Sequence, residues 1–427
     1  MTNHQYKSRL TSNKRVPTIN TSFEFRINSI CNGFRIVIFL VGMTLGHGQQ
    51  IAAQTVADRP LHTQATLQSI KENIALLGHT DPKVRRNART ELEQLGTAAI
   101  NELEKAAKFE STSDYETQIT AADILRTLQN SLAIKAADKF VHGEGTLNGW
   151  PTFKKFVGDT LESRSIFRNV YLRNRVELEN AIRSTAPSEN TAGYFQLKAL
   201  FESPEQPKVH FGMFLLAKQL TELKSAQSND ESASLNAILT KQQLEYLFSL
   251  LTKNISLQTK TPSSIVLLVR SIIENAPEEY PLLNKQVLLL QKFDSPELHP
   301  LLVELAAKEK PTVVRAMAIA HAIKTSDDNT FNQFNTYLSD TTVIGRYLAA
   351  QPKYGSAIND KPDIIEVQIR DLILLGNLRH AGENHTEFGF DSQAFNIVNN
   401  EVDIKLAGFI NNEAREKAFE RYRQINQ

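Results

Sequence analysis

Cysteine is all but missing: Cys31 stands alone in 427 residues. No disulfide can close within the chain, and a cysteine zinc cluster is excluded. Glycine (18) and proline (15) are sparse for this length, which argues against an all-β sandwich with its turn signal roughly every 8–12 residues. An excess of one charge is lacking too, since the formal net charge is +1. The signatures of several chemistries are absent as well. There is no GxxxxGK[ST] phosphate loop, no dinucleotide fingerprint, no HExxH pair and no nucleophile elbow.

What charge there is divides unevenly. Residues 1–57 carry Lys7, Arg9, Lys14, Arg15, Arg26 and Arg35 against Glu24, a local +5 that leaves the rest at −4. A mildly acidic body offers nucleic acid no basic face. Inside the basic segment, residues 36–46 read IVIFLVGMTLG. Small residues follow, among them Ala52, Ala53 and Ala57. Positive charge, a short apolar core and a small-residue exit describe a secretory signal peptide. The run is too short to cross a bilayer core comfortably, which takes about 20 residues. The expected compartment is therefore outside the cytoplasm: periplasmic, cell-surface or secreted. An uncleaved N-terminal anchor is the alternative. Cys31 precedes the apolar run and belongs to the segment that export would remove, so the mature part holds no thiol.

From about residue 63 the apolar spacing is helical. In DPKVRRNARTELEQLG, residues 81–96, Asp81 suits an N-cap, Pro82 the first helical position and Gly96 the exit. Val84, Ala88, Leu92 and Leu95 form one stripe, while Arg85, Arg86, Arg89 and Glu93 lie largely off it. A second helix is expected over 97–109 with Ile100, Leu103, Ala106 and Ala107 inward. A shift of 33 residues lays Asp81 on Asp114, Ala88 on Ala121, Leu92 on Leu125 and Leu95 on Leu128. Helix pairs at such a period mark an α-solenoid, in which each pair covers its apolar side only by stacking on the next.

These residues resemble a HEAT-like repeat: aspartate-proline, valine-arginine, a small residue, leucines, then a second helix. They are similar to the repeats of bacterial exported proteins that carry a few such units. The clear likeness covers 81–130. A fainter echo, PTVVRAMAIAHAI at 311–323, keeps the spacing of Val84, Arg85 and Ala88 in Val314, Arg315 and Ala318. The fold the resemblance implies is all-α, a HEAT/armadillo-like solenoid of antiparallel helix pairs, irregular in its middle and C-terminal parts.

The expected organisation is a targeting segment over 1–57, HEAT-like repeats over 58–140, an irregular helical-pair region over 141–330 and a C-terminal helical region over 331–427. Helices are expected near 151–182, 192–203, 208–226, 235–253, 263–275, 279–292, 296–308, 331–338, 341–349, 363–379 and 411–425, the last capped by Asn411. Residues 380–401 form the longest expected non-helical stretch.

Four places could carry chemistry. HGEGTLNGWP at 142–151 holds three glycines and Trp150, but without a preceding strand or a phosphate-loop spacing it reads as a connector. Asp159, Glu162 and Arg164 could serve acid–base work if one carboxyl were buried; otherwise they form a solvated, ion-paired face. His380, Glu383, His385 and Glu387 offer zinc-type ligands at no recognised spacing. His299 and His321 sit in apolar helices and read as interior or rim histidines. The sequence therefore assigns no catalytic, cofactor or metal residue. The expected function is a non-catalytic extracytoplasmic scaffold that meets a protein partner, with no cofactor, no nucleic acid, and no membrane unless the N-terminal segment is retained. The alternatives are a lyase- or hydrolase-like enzyme with a cryptic concave-face site, and a membrane-anchored adaptor.

Overall fold

The computed structural model describes residues 64–108, 114–183, 190–229, 239–254, 261–293, 295–348, 363–396 and 400–426. The segment read as a targeting signal, residues 1–57, lies outside them. The described residues are predominantly helical, and none of their helices is long and apolar enough to cross a membrane. The chain divides into two compact units, Met1–Leu132 and Ala133–Gln427.

In the first unit α1 (Gln64–Leu76) packs on α2 (Pro82–Leu95) and on α3 (Ile100–Ala106). The local signals act where they stand. The Asp81 carboxylate accepts from the Lys83 amide at 2.8 Å, and Gly96 leaves the helix at φ +59°. Downstream, α4 (Tyr115–Val141) begins in this unit, and Asp114 accepts from the Thr117 amide at 3.0 Å. The core joins Ile70, Ala88, Leu92 and Leu103 with Ala121, Leu125 and Leu128, so the positions related by the 33-residue shift share one apolar interior. Off-stripe arginines tie α2 to α4: Arg85 Nε lies 3.1 Å from Glu116, and Arg89 Nη2 lies 2.9 Å from Asp123.

The second unit is built from α5 (Trp150–Val157), α6 (Leu161–Arg183), α7 (Asn190–Phe201), α8 (Gln206–Asn229), α9 (Lys241–Asn254), α10 (Ser263–Asn275), α11 (Leu282–Phe293), α12 (His299–Leu305) and α13 (Thr312–Thr325). Helices pack mainly on their second neighbours. α6 meets α8 and α8 meets α10; on the other side α7 meets α9, α9 meets α11 and α11 meets α13. Alternation of this kind follows when each helix reverses the chain, because the nearest helix running the same way is two elements along. α10 sits centrally: Ile265, Val266, Leu268, Val269, Ile272 and Ile273 are all buried, and a helix apolar on most of its circumference belongs in an interior. α6 breaks regularity at Asn174, whose amide donates to Val170 O at 3.0 Å and to Pro207 O of α8 at 3.4 Å.

On α8, His210 lies between buried Val209 and Phe211. Burial lowers its imidazole to about 4. The unfolded chain takes up this proton near 6.5 and the folded chain refuses it until about 4, so this group makes stability fall as pH drops through that window. The shift corresponds to about 3 kcal/mol at most. Urea midpoints of the wild type and His210→Gln are expected to converge as pH falls from 7 to 4.5; parallel profiles would contradict this.

The C-terminal part corrects the sequence reading. The helix expected over 341–349 is a strand, β1 (Val343–Leu348), and residues 364–368 of the helix expected over 363–379 form β2 (Ile364–Gln368). The two pair antiparallel, with Arg346 opposite Glu366 and an irregularity between Val343 and Gly345. Branched and aromatic side chains explain the strands: Ile365 and Val367 turn inward while Arg346, Leu348 and Ile364 face out. Around them lie α14 (Asp328–Asn332), α15 (Ile369–His380), the short strands β3 (Phe395–Asn396) and β4 (Glu401–Val402), and α16 (Asn412–Ile425). Asn411 caps α16, accepting from the Ala414 amide at 2.8 Å. Among its described residues, the stretch expected to be non-helical, 380–401, holds the last residue of α15 and one 3₁₀ turn at His385–Phe388.

Candidate functional site

A cleft of about 270 Å³ is lined by Asp138, Val141, His142, Ser165, Arg168 and Asn169. It forms where the last turn of α4 meets the second and third turns of α6. The same elements, with the first turn of α5, carry a buried aromatic cluster in which Trp150 lies 5.0 Å from Phe140 and 5.5 Å from Phe167, ring centre to ring centre. One glycine of 142–151 makes the approach possible. Gly149 has φ +88°, and a Cβ there would stand 2.5 Å from Ile182, so only glycine lets the chain turn into α5 at this point.

Three of the cleft's polar groups are occupied with one another. Arg168 Nε donates to Asp138 at 2.8 Å and its Nη1 to Asn169 at 3.2 Å. The Ser165 hydroxyl donates to the Leu161 carbonyl at 2.8 Å rather than to His142. A serine tied back to its own helix is no activated nucleophile. The opening suits a small polar contact better than a reaction that must exclude water.

The residues singled out from the sequence scatter among structural tasks. Arg164 grips Asp159 with two bonds of 2.6 and 3.1 Å, which hold that carboxyl below its ordinary range. Its Nη1 donates to Phe140 O at 3.0 Å, and the guanidinium lies 5.2 Å over the Phe140 ring. Glu162 turns away and caps another helix: its carboxylate accepts from the Ser264 amide at 3.1 Å and from the Ser264 hydroxyl at 3.2 Å. One of the first amides of α10 thus finds a partner 102 residues away in sequence. Glu162→Ala is expected to cost about 1–2 kcal/mol in urea unfolding and Glu162→Gln about half of that. Equal stability of all three proteins would refute the cap.

The His380 group does not converge. His380 Nδ1 meets Asp328 at 2.7 Å and its ring stacks on Phe331 at 4.8 Å. Glu387 pairs with Arg421 at 2.6 Å. His385 is buried edge-on to Phe395, with no partner on Nε2. Among the described residues no three metal-type ligands come together. His299 and His321 are both buried.

Two buried ion pairs were not legible in the sequence. Arg315 donates to Asp340 and, through Nε, to Ala306 O at 2.9 Å. Arg415, 1% exposed, donates through Nε to Asp371, 0% exposed, at 3.0 Å, and through Nη2 to Glu366 O at 2.7 Å. Burial pushes the Asp371 carboxyl up to about 6, with Arg415 pulling the other way.

No family model and no solved structure matches the chain. Among curated proteins, the kinesin-like protein KIN-5B of Arabidopsis thaliana is 23% identical over 171 residues, which is 40% of this chain and 16% of that protein. The chain spans a small part of this relative, and the likeness carries neither a fold nor an activity across.

Proposed function

We propose that the chain is a non-catalytic, extracytoplasmic interaction scaffold built on an α-solenoid. The second-neighbour packing of α6, α8 and α10, and of α7, α9, α11 and α13, is the observation that supports it. Helices layered this way present successive outward faces, which suits recognition of an extended protein surface. The engaged state of Ser165, Arg168, Asp159 and Glu162 supports the same reading, because the groups that could have done chemistry are holding helices together.

Photo-crosslinkers placed on the exposed faces of α7 and α9 test the scaffold, with sites on α16 as controls. A reproducible partner captured from the first set and not from the second supports the reading. Capture of nothing from any face, with turnover of a small substrate by the purified chain, sinks it. Mass spectrometry of the mature N-terminus tests export separately: a start shortly after residue 46 fits cleavage, and a retained 36–46 run fits the anchored form.

A further inference from the structure

Large exposed apolar side chains of the second unit mostly stand singly, as on any protein surface, apart from the cross-strand pair Leu348 and Ile364 at the end of the β1–β2 ladder. The pair α7 and α9 differs. Phe195 is 57% exposed and Tyr246 41% exposed, and Tyr194 links them, with its ring 5.4 Å from Phe195 and 6.5 Å from Tyr246. A carboxylate and a cation complete the patch. The Tyr246 hydroxyl donates to Glu202 at 3.3 Å. The Lys198 ammonium stands 5.8 Å from the centre of the Tyr246 ring and 3.8 Å from the Glu202 carboxylate.

We propose that this face is a docking site for an arginine side chain of a partner protein, with Lys198 occupying it in the free chain. The inference rests on the scaffold reading and names the chemistry of its partner. Lys198 reports what the site accepts: a cation held between a ring face and a carboxylate. Arginine outcompetes lysine in that setting. Its planar guanidinium stacks on an aromatic ring while its fork meets a carboxylate, and it gives up less hydration than an ammonium does. The unit's own packing shows the preference: Arg164 lies over Phe140, Arg315 over Tyr337, Arg370 over Phe419 and Arg421 over Phe388. Tyr246 carries a lysine instead, one held at the longer distances above and free to swing into solvent. Phe195 adds an apolar wall for the aliphatic stem of the incoming residue, and exposed aromatics of this kind are frequent anchors of protein interfaces.

The test titrates the full chain into a fluorescein-labelled glycine-serine peptide bearing spaced arginines, followed by anisotropy. Peptides with lysine or glutamine in place of arginine are run beside it. The arginine peptide is expected to bind more tightly than the lysine peptide, and the glutamine peptide not at all. Lys198→Ala is expected to tighten arginine binding about fivefold by vacating the site. Tyr246→Leu, which leaves the net charge unchanged, is expected to weaken binding about fivefold, as is the near-isosteric Glu202→Gln. Circular dichroism verifies that each variant is folded. Equal affinity for the arginine and lysine peptides, or an unchanged affinity in Tyr246→Leu or Lys198→Ala, overturns the site. Should the site fail while the crosslinkers on α7 and α9 still capture a partner, the scaffold reading survives without it.

Discussion

Asp371→Ala is expected to lower the stability of the second unit by about 3–5 kcal/mol at neutral pH, among the largest effects of any single substitution in the molecule. The reason is the group left behind. Arg415 reaches from α16 to the start of α15, is 1% exposed, and has Asp371 as its buried carboxylate partner. Removing the acid takes away the acceptor of Arg415 Nε and of the Gln368 amide, bonds that a protonated Asp371 keeps, and leaves a guanidinium whose charge cannot be titrated away. What remains is the bond to Glu366 O at 2.7 Å and the Glu366 carboxylate 3.8 Å from Nη1, a longer and partly solvated contact that replaces the buried counter-charge only in part. Arg415→Met is expected to cost less, because the carboxyl it leaves can take up a proton at neutral pH. The double variant Asp371→Leu, Arg415→Met is expected to recover most of the loss, since an apolar pair of similar volume avoids both desolvation costs. Urea unfolding of the four proteins gives the coupling directly. Additive losses would show that the two side chains act independently.

The proton linkage of Asp371 runs against that of His210. The folded carboxyl holds its proton up to about 6 and the unfolded one only to about 3.8. Its stabilising contribution is thus complete below 3.8 and lost as pH rises to 6, a change of about 3 kcal/mol at most. Burial of His210 produces the opposite slope between 4 and 6.5. Both causes are desolvation, acting on an acid in one case and a base in the other. The wild type is therefore expected to be nearly flat across pH 4–6 with respect to these two groups. Each single variant exposes the slope of the other.

The sequence announces helices far better than it announces neighbours. Asp81, Pro82 and Gly96 mark the two ends of α2 by purely local bonds, so the 81–96 segment could be read unaided. Ala121, Leu125 and Leu128 could be placed inward because their period matches that of Ala88 and Leu92. β1 reads as a helix because six residues with an interrupting glycine carry little period-two signal, and the strand exists through a partner some twenty residues on. The arginines show the limit most clearly. Arg85 and Arg315 occupy the same place in the repeat-like spacing. Arg85 pairs with Glu116 near the surface, whereas Arg315 is buried against Asp340. Nothing within either helix distinguishes them, because burial is decided by what packs on the helix from elsewhere in the chain.

Gly408→Ala is expected to cost about 3 kcal/mol or more, and to act on the same junction by a different route. An added Cβ would stand 2.4 Å from the Glu366 carbonyl oxygen and 2.9 Å from Val367 Cα. Those are backbone atoms, so no side chain can rotate away to make room. Here the 408–410 segment meets β2 through a bridge in which Glu366 N donates to Phe409 O at 3.0 Å and Phe409 N donates to Glu366 O at 3.1 Å. Glu366 O is also the acceptor of Arg415 Nη2. Pushing the two segments apart therefore breaks the bridge and shifts the carbonyl that orients Arg415 toward Asp371. The methyl group and the ion pair draw on one carbonyl, so their effects should not add. In an Arg415→Met, Asp371→Leu background the cost of Gly408→Ala is expected to fall by about 1 kcal/mol, as read by the same urea transitions. An undiminished cost would mean that the close approach at Gly408 and the buried pair are independent features of the junction, with Glu366 O serving each without transmitting strain between them.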